Sequence, residues 1–257
     1  MPENLIACRP GCYGKHKDQA FAHLARIGVR HVELDVLPRE EWAARKEELR
    51  KHGLSASSVS GSVDLSKFDS IENFAHFAAC AREFGARIVF LSVKSGGRPL
   101  DQCYAELRGL GDVADGHGVT VALETHPDLV TNGAVASATM KGVNHPRIKL
   151  NFDSANIYYY NTGMDGCAEL RKFLPWLGAV HLKETNGGFK TWYFPGLHEG
   201  DGIVDFPALF RICNDAGFFG PFTMEIEGIK GEDLSREQAC ARLEHSMQYL
   251  RSIHAVE

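Results

Sequence analysis

Glu124, Asp153, His181 and Glu225 are four residues whose types suit metal or acid–base chemistry. Each lies within or at the C-terminal end of a short apolar run with the pattern of a β-strand: Val-Ala-Leu-Glu124, Ile-Lys-Leu-Asn-Phe-Asp153, Gly-Ala-Val-His181 and Phe-Thr-Met-Glu225. Burying a charged side chain in such a strand is costly unless something pairs with it. Charged ends on successive core strands therefore point to a shared partner, and the simplest is one divalent metal ion. Three carboxylates and an imidazole make a mostly oxygen site, suited to Mn2+ or Mg2+ and tolerant of Co2+ or Zn2+. The alternative is a buried salt-bridge network with Lys183 and Lys149.

The elements that must position these residues show in a repeat. A helical stretch ends in glycine and a strand begins at once at Gly28, Gly53, Gly85, Gly118 and Gly217. Glycine takes the left-handed conformation past a helix end at little cost, so these are helix caps feeding strands. Between Gly118 and Gly217 there is room for three further units, with Pro146 and Pro175 marking the two missing junctions. With a first strand at Leu5–Cys8, the others begin near Val29, Ser55, Arg87, Thr120, Ile148, Gly178 and Phe222, which makes eight. Ile71–Phe84 is an amphipathic helix, with Phe74, Phe77, Ala78 and Ala81 at three- and four-residue spacing. Ser235–Ile253 opens with Ser235 and Gln238 in capping-box spacing. Eight βα units predict a (β/α)8 TIM barrel, an α/β fold with residues 1–257 as one domain. A doubly wound sheet would more often carry a glycine-rich phosphate turn after its first strand, and Cys8-Arg-Pro-Gly-Cys is not one.

Composition narrows the function classes. The net charge of −5 gives no electrostatic reason to expect nucleic acid as a partner. No apolar stretch has membrane-helix length, and the first residues lack the pattern of a secretory signal. Seven scattered cysteines, with no Cys-x-x-Cys pair, fit reduced thiols in a cytoplasm.

In a barrel the active site lies at the C-terminal strand ends. Residues two positions apart share a face, so His126 follows Glu124, Lys183 follows His181 and Glu227 follows Glu225; strand two adds Glu33 and Asp35. His126 is expected to hydrogen-bond substrate or to cap the chain before Pro127. Lys183 is expected to polarise a substrate oxygen or to neutralise the glutamates. The segment 185–204, with Trp192, Tyr193 and Phe194 at its centre and glycines at both ends, suits a lid over a sugar face or an interface between subunits. Tyr158–Tyr160 is expected to stack on substrate or meet a partner, and His198 to lie at the surface.

Five motifs in order, Val-Ala-Leu-Glu-Thr-His-Pro, Leu-Asn-Phe-Asp-Ser-Ala-Asn, Val-His-Leu-Lys-Glu-Thr, Gly-Asp-Gly-Ile-Val-Asp-Phe and Thr-Met-Glu-Ile-Glu, resemble the xylose-isomerase-like TIM barrels. The resemblance covers essentially the whole chain. It implies a sugar isomerase or epimerase related to the ketose 3-epimerases, binding one divalent metal through Glu124, Asp153, His181 and Glu225. It further implies that Glu124 and Glu225 form the acid–base pair, removing and returning a proton through a metal-held cis-enediolate. Glu33, His126, Asn156, Lys183 and Trp192 are the expected substrate contacts, with a small carbohydrate as partner and a homo-oligomer as the assembly. Asn156 stands where many epimerases carry a substrate-binding histidine. A dehydratase or lyase acting on a keto-sugar or oxidised glycoside shares the first step and remains the alternative; a sugar-binding barrel without activity is a third reading. Strands three and four end in Ser-Val-Ser-Gly and Ser-Val-Lys-Ser, and no Asp-x-His follows strand seven, so the three-metal AP-endonuclease branch lacks its ligands.

Overall fold

The computed structural model describes residues 3–256; Met1, Pro2 and Glu257, part of the expected domain, lie outside the described residues. Seven parallel strands run β1 (Ile6–Cys8), β2 (His31–Asp35), β3 (Ser55–Asp64), β4 (Ile88–Lys94), β5 (Thr120–Glu124), β6 (Ile148–Asp153) and β7 (Leu177–Leu182). A short strand, β8 (Tyr193–Phe194), then leaves the barrel, and β9 (Phe222–Met224) completes it. Closure is between β9 and β1, where Ile6 lies opposite Phe222. The outlying β8 pairs antiparallel with β10 (Gly228–Ile229), which ties the segment after β7 to the chain after β9. The expected (β/α)8 barrel is therefore the observed fold.

Local chemistry sets the boundaries. Gly28, Gly53, Gly85, Gly118 and Gly217 all take the left-handed conformation, with φ between +65° and +88°. The two proline junctions work differently from each other. Asn144, at φ +44°, supplies the left-handed cap just before Pro146, because a short polar side chain tolerates that conformation. Pro175 sits inside a single 3-10 turn, Leu174–Trp176, that feeds β7 directly. Strand two begins at His31, two residues beyond the expected Val29. The helix expected at Ile71–Phe84 spans Ser70–Glu83. The last helix, Arg236–Ser252, is capped as the sequence predicts: Gln238 N–H donates to Ser235 Oγ at 3.3 Å, and Ser235 N–H to Gln238 Oε1 at 2.8 Å. Such a cap contributes roughly 1 kcal/mol.

Between strands and helices lies the apolar core, with Leu107, Leu110, Phe152, Phe173 and Phe222 essentially unexposed. Inside the barrel the strand register determines which side chains meet. Asp153 on β6 lies directly opposite His181 on β7, and His181 lies opposite Thr223 on β9. Glu225 follows Thr223 by two residues and so points to the same interior.

Candidate metal centre

The C-terminal strand ends open into a cavity of about 460 Å³. Toward its floor, Asp153, His181 and Glu225 each bring one ligand atom to within 4.8 Å of the others. All three are buried, Asp153 and His181 completely. Asp153 Oδ1 accepts the backbone N–H of Ala155 at 2.9 Å and of Asn156 at 2.8 Å, which fixes its carboxylate. Its Oδ2 is buried and has no hydrogen-bond partner among the described residues, 4.0 Å from His181 Nδ1 and 3.8 Å from Lys183 Nζ. An unpaired buried oxygen of this kind costs on the order of 1–3 kcal/mol, more when charged, unless a cation satisfies it.

His181 links the two sides of the barrel. Its Nδ1 lies 3.0 Å from Glu225 Oε2, its Nε2 lies 3.2 Å from Glu33 Oε1, and its ring stacks on Phe90 at 4.3 Å. Glu33 is held in turn by Ser58 Oγ at 2.7 Å and Arg9 Nε at 3.5 Å. A carboxylate accepting from Nε2–H leaves Nδ1 turned toward Asp153 and Glu225, the arrangement that orients a ligating imidazole. Glu33 was expected at the substrate; it is 2% exposed and lies against His181, not on the cavity wall.

Glu124 lines the same cavity, where its Oε1 accepts from Asn156 Nδ2 at 3.3 Å, but it is not one of the three converging residues. Asn156 Nδ2 also donates to Thr125 O at 3.1 Å, so the amide is tethered to the end of β5. Lys183 Nζ pairs with Glu227 and with Glu225 at 3.3 Å, and lies 4.4 Å over the Phe194 ring. Lys183 thus belongs to the buried charge network. Lys149 does not: its side chain packs beside Gly178.

These contacts pull the titrating groups apart. Burial pushes the Glu124 carboxyl up, and the neighbouring Glu225 pushes it further. Burial also raises Asp153, to about 7, against the pull of Lys183. For Glu225 burial acts upward too, yet Lys183 and His181 outweigh it and hold the carboxyl well below its ordinary value. Burial alone would lower His181, but the carboxylates of Glu225 and Glu33 hold the imidazole well above its ordinary value.

The aromatic wall comes from two segments. Trp192, Phe194, Tyr159 and Tyr160 line the cavity, and His126 packs edge-on against Tyr160 at 4.9 Å between centroids. Tyr158 points away and accepts from Gly166 N–H at 2.9 Å. His198 is exposed and stacks on Tyr249 at 4.5 Å, off the cavity wall. Sequence reasoning missed Arg9, Phe90 and Glu184. Arg9 stands just past the end of β1, so the strand-end rule that found the others applies to it. Glu184 is 1% exposed and accepts N–H groups of Thr185, His198 and Val204, each at 3.0 Å, which pins both ends of segment 185–204.

The donor set fits a divalent cation: an orphaned carboxylate oxygen, a second carboxylate and an oriented imidazole meet in a buried spot, with Glu124 on the same wall. A family model described as "Xylose isomerase-like TIM barrel" matches residues 21–253. The chain is 29% identical over 133 residues to an inosose dehydratase of Serratia proteamaculans, a stretch covering 46% of this chain and 44% of that protein. It is 29% identical over 126 residues to an L-ribulose-5-phosphate 3-epimerase of Escherichia coli, covering 48% of this chain and 42% of that one. The matched stretch is thus less than half the length of either curated relative. A solved structure of the IOLI protein with a zinc atom superposes with a TM-score of 0.78 at 14% identity, over 98% of this chain and 99% of that one, a likeness of fold. The family match runs from the first α-helix to the end of the last, and the chain belongs to the xylose isomerase-like TIM barrel family.

Proposed function

We propose that this protein is a divalent-metal-dependent sugar isomerase or epimerase, with Glu124, Asp153, His181 and Glu225 holding the ion and Glu124 and Glu225 moving the proton. The observation that carries this reading is the buried meeting of Asp153, His181 and Glu225 at a cavity floor, with Asp153 Oδ2 unpartnered. When bound, the ion would polarise a keto-sugar carbonyl and a neighbouring hydroxyl, which acidifies the C–H between them.

The remaining work falls to the chain. Glu124 and Glu225 line one cavity, and their surroundings push one carboxyl up and the other down. One of these glutamates removes the proton and the other returns it, to the same carbon for epimerisation or to its neighbour for isomerisation. Asn156, Lys183 and His126 supply polar contacts to substrate hydroxyls, and Trp192 covers an apolar sugar face. Glu33 acts on His181 and not on the sugar. The oxygen-rich donor set supports Mn2+ or Mg2+, and the zinc in the IOLI structure makes Zn2+ the competitor to test. The reading takes the whole chain as one domain. Seven unpaired cysteines support a cytoplasmic location, and exposed Phe189 and Trp192 support a homo-oligomer.

A second reaction is favoured by the similarity to an inosose dehydratase: the same proton removal followed by expulsion of a β-leaving group. The test is incubation of Mn2+-loaded protein with a keto-sugar panel in heavy water. Deuterium at a single carbon with the skeleton intact supports isomerase or epimerase chemistry. Release of water or aglycone assigns elimination instead. No exchange and no release on any member would overturn both.

A further inference from the structure

Among the described residues, Arg9 and Lys183 are the two permanently charged cations on the cavity wall, and they share it with Asp35, Glu124, Glu225 and Glu227. A basic side chain free in a cavity is a site for a phosphate or carboxylate group. Availability of these two cations therefore decides what charge a substrate can carry. Lys183 Nζ contacts Glu227 and Glu225, and lies 3.8 Å from Asp153. Arg9 pairs with Glu225 and spreads over Glu33 and Asp35, both at 3.5 Å.

A cation on Asp153 and Glu225 would take those two carboxylates out of the network. Each basic residue still keeps a carboxylate of its own: Glu227 for Lys183, and Asp35 with Glu33 for Arg9. Asp35 and Glu227 also stand outermost, with 70% and 34% of their side chains exposed, so an incoming anion meets them first. His126 is the remaining wall residue able to carry positive charge among the described residues, and its Nδ1 lies 2.6 Å from the Pro127 carbonyl. The rest of the wall is uncharged: the hydroxyls of Ser60, Ser62 and Ser92 and the Asn156 amide, beside an aromatic side of the kind on which the C–H face of an uncharged sugar packs.

Resting on the sugar-active reading above, we infer that Glu227 and Asp35 are specificity-determining residues. By holding Lys183 and Arg9, they restrict the site to uncharged polyhydroxy ketones and disfavour phosphate esters and sugar acids of the same skeleton. This runs against simple transfer of a phosphorylated substrate from the L-ribulose-5-phosphate 3-epimerase relative.

The test is calorimetric titration of Mn2+-loaded protein with D-fructose, D-ribulose, their phosphate esters and inorganic phosphate, for wild type and Glu227→Gln. The wild type is expected to bind one neutral ketose at least about tenfold more tightly than its ester, with no heat from inorganic phosphate. Glu227→Gln frees Lys183 and should narrow that ratio by about tenfold. Asp35→Asn, at an exposed position, gives a smaller shift in the same direction and serves if the first variant misfolds. An ester that binds as well as the neutral sugar, no preference in any pair, or ratios unmoved in both variants would overturn the inference. Because binding is read without turnover, absence of C–H exchange would sink the proposed reaction while leaving this ratio to decide specificity.

Discussion

The two arcs of the barrel carry different kinds of groups. Strands β5, β6, β7 and β9 end in Glu124, Asp153, His181 and Glu225, whose side chains can ligate a cation or carry a proton. Strands β1 to β4 contribute Arg9, Glu33, Ser58 and Phe90, which hold those groups in place. His181 is where the arcs meet: Nδ1 faces Glu225 and Asp153, Nε2 faces Glu33 across the barrel, and Phe90 covers the ring. A closed barrel makes this division possible, because side chains far apart in sequence share one interior. Groups that react and groups that orient can therefore come from opposite walls.

The division can be broken most severely on the reacting arc. Glu124→Gln and Glu225→Gln should each lower kcat by about 10²–10⁴, and both should lose metal affinity. Turnover within tenfold of wild type in either variant would remove that residue from the acid–base pair. On the orienting arc, Glu33→Gln should weaken metal binding by roughly 10–100-fold while leaving the ligands intact, read by competition with a chelating dye. An unchanged affinity would mean that the β2 wall does nothing for His181.

Stability should separate the arcs as well. Burial raises Asp153 to about 7, so the folded state keeps a proton that the unfolded chain releases near the ordinary carboxylate value. For metal-free protein this group therefore costs stability as pH rises from about 4 to about 7. Asp153→Asn removes that contribution and should raise the metal-free Tm at pH 7 by about 2–6 °C, while abolishing stabilisation by Mn2+. A lower metal-free Tm would show the carboxylate to be structurally required. The smallest effect belongs to the aromatic wall. Trp192→Ala should raise KM about three- to tenfold with metal content unchanged, and a kinetic profile identical to wild type would return Trp192 to a purely structural part.

The reacting arc was legible in the sequence because each of its charges terminates an apolar run, a contrast that survives without any alignment. Glycine caps gave the repeat and hence the barrel, and Gly118 marks β5 to the residue. The orienting arc was harder. Glu33 reads as one of two acids on β2, and only the closed barrel shows that it reaches His181 while Asp35 stays at the exposed edge of the cavity beside Arg9. Arg9 directly follows the expected first strand, but a lone cation at a strand end does not say which carboxylates it meets. Glu184 was hidden because its partners, the N–H groups of Thr185, His198 and Val204, lie in a loop whose path no periodicity encodes.

The central claim is that Asp153, His181 and Glu225 form the floor of a cation site, and metal stoichiometry tests it most directly. Wild type and His181→Ala would be loaded with Mn2+, passed through a desalting column and assayed by elemental analysis. The account predicts about one ion per chain for wild type and less than about a tenth of that for the variant. Wild type without retained metal, or equal content in both proteins, would contradict it.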